Sequence, residues 1–282
     1  MKNKMRKKRI SCISFFLALP LLFSACGTDT AVETKSTPEL ADREVINQVS
    51  LLQGLTLGDY SGSVSISQFK ELGDIGIGTF DALNGELIML DGTVYRAAFD
   101  GSIEEVSDEE TIPFGNTTFF DEDQTFELNR VDSVYTLKKE LDKKVKELGN
   151  NRFYMIKIDG TFSKMGVRSE LPQSEPYKPL AKVLETDQAF FDYKDIKGTV
   201  VGLYCPDYMS DINAVGWHFH FISEDRSSGG HVLDLSADTL NVIMDRTDRF
   251  SMSVPDNAAF NDYDLTVDQS KDIQKIETGK SS

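Results

Sequence analysis

Positive charge is in short supply in this chain of 282 residues: 30 Lys+Arg stand against 46 Asp+Glu, a formal net charge of −16. A surface so acidic repels phosphate backbones, which argues against any nucleic-acid partner. Cysteine is scarce too. Cys12 falls in a leader segment and Cys26 at its end, so Cys205 has no partner in the body and no intramolecular disulfide can form. The longest apolar run, Ile10 to Ala25, is shorter than the roughly 20 residues that span a bilayer as a helix. Sequence repeats are absent. Histidine is as scarce as cysteine: His218, His220 and His231 are the only three. What remains is ordinary globular composition, 40% hydrophobic and 27% charged, with ample material for a core.

The leader comes first. Met1 to Arg9 carries six cations and is followed by the apolar run, the n-region and h-region of an export signal. It ends Leu22-Phe23-Ser24-Ala25-Cys26-Gly27, which resembles a bacterial lipobox. That reading makes residues 1–25 a lipoprotein signal peptide and Cys26 the lipidated new N-terminus. The protein is then exported and held on the outer face of the bacterial cytoplasmic membrane by its lipid anchor only. Loss of the six cations takes the net charge from −16 to −22. Residues 26–44, rich in Thr, Glu, Asp and Ala without apolar periodicity, read as a flexible tether.

The folded body is expected from Val45. Ile46, Val49, Leu52 and Leu55 have helical spacing over Val45–Leu57. Strands are expected at Ser61–Ile66, Glu86–Leu90 and Thr93–Ala98, with Asp91-Gly92 as a hairpin turn. Leu137, Leu141, Val145 and Leu148 mark a helix over Ser133–Leu148, stopped by Gly149-Asn150. Phe153–Ile158 returns to strand, Pro172, Pro176 and Pro179 punctuate an irregular crossing, and Gly198–Arg249 reads as strands and turns. Without regular βαβ alternation the class is α+β: mixed β-sheets with a few helices in two similar subdomains. Residues 45–165 form the N-terminal α+β subdomain and 166–282 the C-terminal, β-rich one. The metal site lies between them or on the second.

All three histidines lie in Gly216-Trp-His-Phe-His-Phe-Ile-Ser-Glu-Asp-Arg-Ser-Ser-Gly-Gly-His-Val-Leu-Asp-Leu235. On a strand, residues two apart share a face. His218 and His220 therefore point one way, while Trp217, Phe219 and Phe221 pack the other way. Ser223–Gly230 reads as a turn that returns His231 beside the pair. Three imidazoles with one open position are the ligand set of a catalytic zinc site. His218-x-His220-x-x-x-Glu224 also resembles the first metal motif of cupins. The preceding glycine and a distant fourth histidine are missing, so Glu224-Asp225-Arg226 is more simply a polar turn.

The histidine stretch resembles the metal-binding region of α-acetolactate decarboxylases. Upstream, Gly76-Ile-Gly-Thr-Phe-Asp-Ala-Leu-Asn-Gly-Glu-Leu87 followed by Leu90-Asp91-Gly92 resembles that family's N-terminal signature, and Thr111-Ile-Pro-Phe114 and Pro176-Tyr-Lys-Pro-Leu180 are similar to further family stretches, in the family's order. The similarity runs from about residue 45 to 280. Asn84 stands where the pattern has Asp, and Trp217 where it has Tyr; an export signal is also unexpected in that family. The resemblance implies zinc-dependent decarboxylation of 2-acetolactate, a 2-hydroxy-3-oxo acid, to acetoin and CO₂, and a homodimer. It implies catalytic roles for Glu86, Arg168 and Glu277 and a pocket-lining role for Thr79. The alternative from another class is a non-catalytic zinc-binding surface lipoprotein, in which the Gly76–Glu86 motif and Arg168 have no purpose.

Overall fold

The computed structural model of the chain describes residues 42–278. The proposed signal, Cys26 and the tether up to residue 41 lie outside the described residues. The chain begins with β1 (Val45–Val49), α1 (Leu52–Leu57), β2 (Val64–Ser65), α2 (Ile66–Lys70), β3 (Ile75–Thr79), β4 (Glu86–Leu90) and β5 (Thr93–Ala97). Next come β6 (Ile103–Glu105), β7 (Thr111–Ile112), β8 (Phe114–Thr118), β9 (Gln124–Val131), α3 (Val134–Leu148), β10 (Phe153–Phe162) and β11 (Lys164–Glu170). Then follow α4 (Leu180–Val183), β12 (Gln188–Tyr193), β13 (Ile196–Cys205), β14 (Gly216–Ser223) and β15 (Gly229–Thr247). Last are β16 (Arg249–Ser253), α5 (Ala258–Asp262) and α6 (Ser270–Thr278).

Mixed sheets with few helices are the expected class. Sheet one has the order β16-β1-β8-β3-β4-β5-β6; sheet two has β10-β13-β14-β15-β11-β12, with β9 also on β15. The sheets change over between Thr118 and Gln124 rather than at 165/166, because β10 and β11 both pair with β15. β16 then returns to pair in parallel with β1.

Two sequence expectations fail locally. Residues 45–49 are strand, not helix, because β1 is held between β8 and β16 and buries Ile46, Gln48 and Val49; only Leu52–Leu57 is helical. Ile66 opens α2 instead of ending a strand: Ser65 caps it, its side chain accepting from the Gln68 N–H in a capping box. The hairpin at Leu90–Thr93 forms as expected, with Asp91 at φ 51° and Gly92 at φ 78°, the left-handed pair such a two-residue turn requires. α3 also forms as expected, capped by Ser133.

Side-chain alternation sets what faces what. Ile75, Ile77, Ile88 and Leu90 of sheet one pack with Met155, Val201, Leu203 and Ile222 of sheet two. Thr79 shares the Ile75 and Ile77 face, and Glu86 shares the Ile88 and Leu90 face. On β14, Trp217, Phe219 and Phe221 join Leu137, Leu141 and Val145 of α3 in a separate core. His218 and His220 are thereby sent toward sheet one. A third apolar cluster, including Leu52, Leu55, Leu83, Leu180, Ile273 and Ile276, closes over the end of this inter-sheet space.

Candidate metal centre

Ladder register builds the histidine cluster. His220 stands opposite His231 across β14 and β15, and His231 stands opposite Arg168 across β15 and β11. The turn is shorter than expected: Gly229 and Gly230 belong to β15, not to the turn. Gly230 is needed at a close approach, since a Cβ there would lie 2.5 Å from the Arg168 carbonyl oxygen.

His218 Nε2 lies 3.1 Å from His220 Nε2 and 3.0 Å from His231 Nδ1. The other ring nitrogens set the tautomers. His220 Nδ1 lies 2.8 Å from the Leu87 carbonyl oxygen and His231 Nε2 lies 3.4 Å from that of Glu277. A proton donated at each of those atoms leaves His220 Nε2 and His231 Nδ1 as lone-pair donors facing inward. Burial pushes the His218 imidazole down to about 3, helped by Lys138 and Arg168. Burial also holds His220 and His231 well below their ordinary value. Three neutral nitrogens converging this closely fit a divalent cation with an open position.

Carboxyl groups flank the cluster. Glu86 Oε2 lies 3.3 Å from His220 Nε2. Burial, then the adjacent Glu170, raises the Glu86 carboxyl well above its usual range, so it favours its protonated form. Glu277 Oε2 lies 3.8 Å from His218 Nδ1 and has no hydrogen-bond partner; burial raises this carboxyl too. Arg168 is 3% exposed. Its Nε is 3.2 Å from Glu170 Oε1, too poorly aligned for a hydrogen bond, and its Nη1 donates to the Ile276 carbonyl at 2.7 Å.

One small pocket is lined by Thr79, Glu86, Arg168, His218, His220, His231 and Glu277, so every site residue singled out in the body of the sequence comes to one place. The Thr79 hydroxyl donates to the Gly85 carbonyl at 2.8 Å, leaving only its lone pairs for the pocket. Sequence reasoning missed Glu170, which also lines the pocket. The available signal was parity: Glu170 is two residues after Arg168 on β11 and shares its face.

Residues 46–267 match the profile of the alpha-acetolactate decarboxylase family. The chain is 38% identical to alpha-acetolactate decarboxylase of Methanosarcina mazei over 255 residues, 89% of this chain and 88% of that one. It is 36% identical to the Bacillus subtilis protein of that name, over 82% of this chain and 90% of the relative. The crystal structure of alpha-acetolactate decarboxylase from B. subtilis strain 168 superposes with a TM-score of 0.79 at 34% identity, covering 84% of this chain and all of the other. Matching over most of its length in sequence and in fold, the chain belongs to the alpha-acetolactate decarboxylase family.

Proposed function

We propose that this chain converts 2-acetolactate to acetoin and CO₂ with zinc held by His218, His220 and His231. The observation that carries the reading is the convergence of three imidazoles, a buried guanidinium and a buried carboxyl on one pocket. A divalent zinc in the imidazole cluster supplies a Lewis acid for the oxygens of the substrate. Arg168 orients the substrate carboxylate through its planar fork of donors. Breaking the C1–C2 bond releases CO₂ and sends the electron pair through C2–C3 to the ketone oxygen. Glu86, whose carboxyl burial shifts toward its protonated form, delivers the proton that C2 then takes up in this reading. Leu52, Leu55, Leu83, Phe114 and Leu180 line the same pocket, hold water away from the reacting end and accept the methyl groups. A zinc carrier needs none of Arg168, Glu86 and Glu170.

Incubation of the zinc-loaded chain with racemic 2-acetolactate tests the reading: equal amounts of acetoin and CO₂ are expected, and no product from protein holding full zinc defeats it. The basic-then-apolar leader ending at Cys26 supports export and a lipid anchor as part of the same reading. Cys26→Ser is expected to leave an unprocessed precursor or to release protein into the medium. An unchanged membrane fraction of unchanged mass excludes the anchor. A homodimer, which the family resemblance implies, belongs to the same reading and is checked by the mass in solution.

A further inference from the structure

Outside the metal pocket, a cavity of about 400 Å³ has among its walls Lys138, Trp217, Asn213, Asp211, Lys271 and Glu277. Glu277 also lines the metal pocket, so the two spaces share a wall. The metal pocket itself holds only about 40 Å³, little more than the space of a few waters. Its remaining walls are largely leucines and Phe114, which desolvate an approaching carboxylate without compensation. The larger cavity is the polar side.

Lys138 is the unusual member of that side. It comes from α3, next to the buried Leu137–Leu141–Val145 stripe, and is half-buried. β14 pairs with β13 from Gly216 to Ser223, but with β15 only from His220 to Ile222. The edge beside Trp217–Phe219 is therefore unpaired with β15, and the Lys138 Nζ stands 5.6 Å from the centre of the Phe219 ring. Burial weakens its hold on its proton, while the charges of Glu277 and Asp142 strengthen it. No salt bridge ties it down among the described residues; Asp142 instead accepts the Trp217 Nε1 hydrogen bond at 3.0 Å. Around it the molecule carries a net charge of −16, which opposes the approach of any anion.

We propose that this cavity is the entrance for the anionic substrate, and that Lys138 is a positioning residue that draws the carboxylate inward to the wall shared with the metal pocket. The inference rests on the decarboxylase reading for the identity of the anion, but not for the existence of an anion site. The ammonium is a long-range, salt-screened attractor. Arg168, deeper and held by Ile276, receives the carboxylate afterward.

Two measurements on the zinc-loaded full chain test this, with Lys138→Met, which keeps the stem and removes the charge, and Lys138→Arg, which keeps the charge. The first is kcat/KM for 2-acetolactate against ionic strength. At about 20 mM salt, Lys138→Met is expected to be about 10-fold slower in kcat/KM, mostly through KM. The gap should close toward parity near about 500 mM, where screening is strong. Lys138→Arg should follow wild type. A purely structural lysine gives a gap that salt does not close, and that result overturns the proposal.

The second measurement needs no turnover. Trp217, the only tryptophan, lines the cavity, so its fluorescence reports an occupant. Titration uses 2-hydroxy-2-methylpropanoate, a 2-hydroxy acid without a ketone to receive the electron pair. Saturable quenching is expected in wild type and Lys138→Arg, with at least about 10-fold weaker binding in Lys138→Met. Equal binding in Lys138→Met at unchanged zinc content and Tm overturns the proposal. If Lys138-dependent quenching is found but wild type makes no acetoin, the entrance stands and the substrate assignment falls. If acetoin forms normally but quenching ignores Lys138, the reverse holds.

Discussion

At the scale of single residues, the site divides into groups that touch each other and groups that act at a distance. The histidines depend on mutual register, so each is expected to be indispensable to metal. Elemental analysis of His218→Ala, His220→Ala or His231→Ala should find almost none of the roughly one zinc per chain expected for wild type, and full zinc in any of them removes that residue from the ligand set. Arg168 is different: it is buried against Glu170 and Ile276 and is not among the imidazole donors. Arg168→Ala should keep its zinc and lose on the order of 10²–10³ in turnover, the usual cost of deleting one preorganised charge contact. Arg168→Lys should recover only part of it, because a point ammonium cannot reproduce the fork. Near-wild-type turnover by zinc-loaded Arg168→Ala sinks the assignment. His218 and His220 were legible because strand alternation is a local rule. Glu170 shared that rule and was overlooked, and Lys138 gave no signal, since its proximity to Glu277 depends on elements far away in sequence.

Among the elements, the misread one is instructive. Ile46, Val49, Leu52 and Leu55 fit a helix, yet half of that stretch is β1, because its partners are β8 and, some 200 residues later, β16. Long-range pairing overrides a short apolar period, and no local pattern announces it. α3 and the Asp91-Gly92 hairpin were legible for the opposite reason: cap, stripe and turn residues are all local. α6 sits between these cases. Its sequence is a charged tail, but Ile273 and Ile276 are buried among Leu52, Leu55 and Leu180, and Arg168 holds the Ile276 carbonyl. Docking of α6 is what brings Glu277 to His218. Ile276→Ala removes part of that apolar anchor, at a cost of about 2 kcal/mol or more if the site cannot collapse. Amide exchange of 270–278 should then accelerate markedly and turnover should fall, while zinc and the exchange of β14 and β15 stay as they were. Unchanged exchange across α6 means that its docking does not depend on Ile276.

At the scale of the whole molecule, the acidic excess bears on stability as well as on substrate approach. Asp245 on β15 is 1% exposed. It accepts a hydrogen bond from the Asp121 N–H at 3.3 Å. Burial raises its carboxyl to about 7, and Asp123, Asp121 and Glu44 add repulsion. A carboxyl raised in the fold binds its proton more tightly there than in the unfolded chain. Its effect on stability is therefore most favourable below its ordinary value of 3.8, declines as pH rises from about 4 to about 7, and is level above that. Asp245→Asn keeps an acceptor for the Asp121 N–H and removes the ionisation. The variant should match wild type near pH 4 and exceed it above pH 7. A gain there of up to about 4 kcal/mol corresponds to a Tm higher by up to about 10 °C. Every other carboxylate is common to both proteins, so the difference in Tm at each pH isolates this one group. Scans at saturating zinc keep metal release from mimicking the effect. A Tm offset that is the same at pH 4.5 and pH 8 means that Asp245 does not titrate in this range and that its burial is balanced by contacts other than a retained proton.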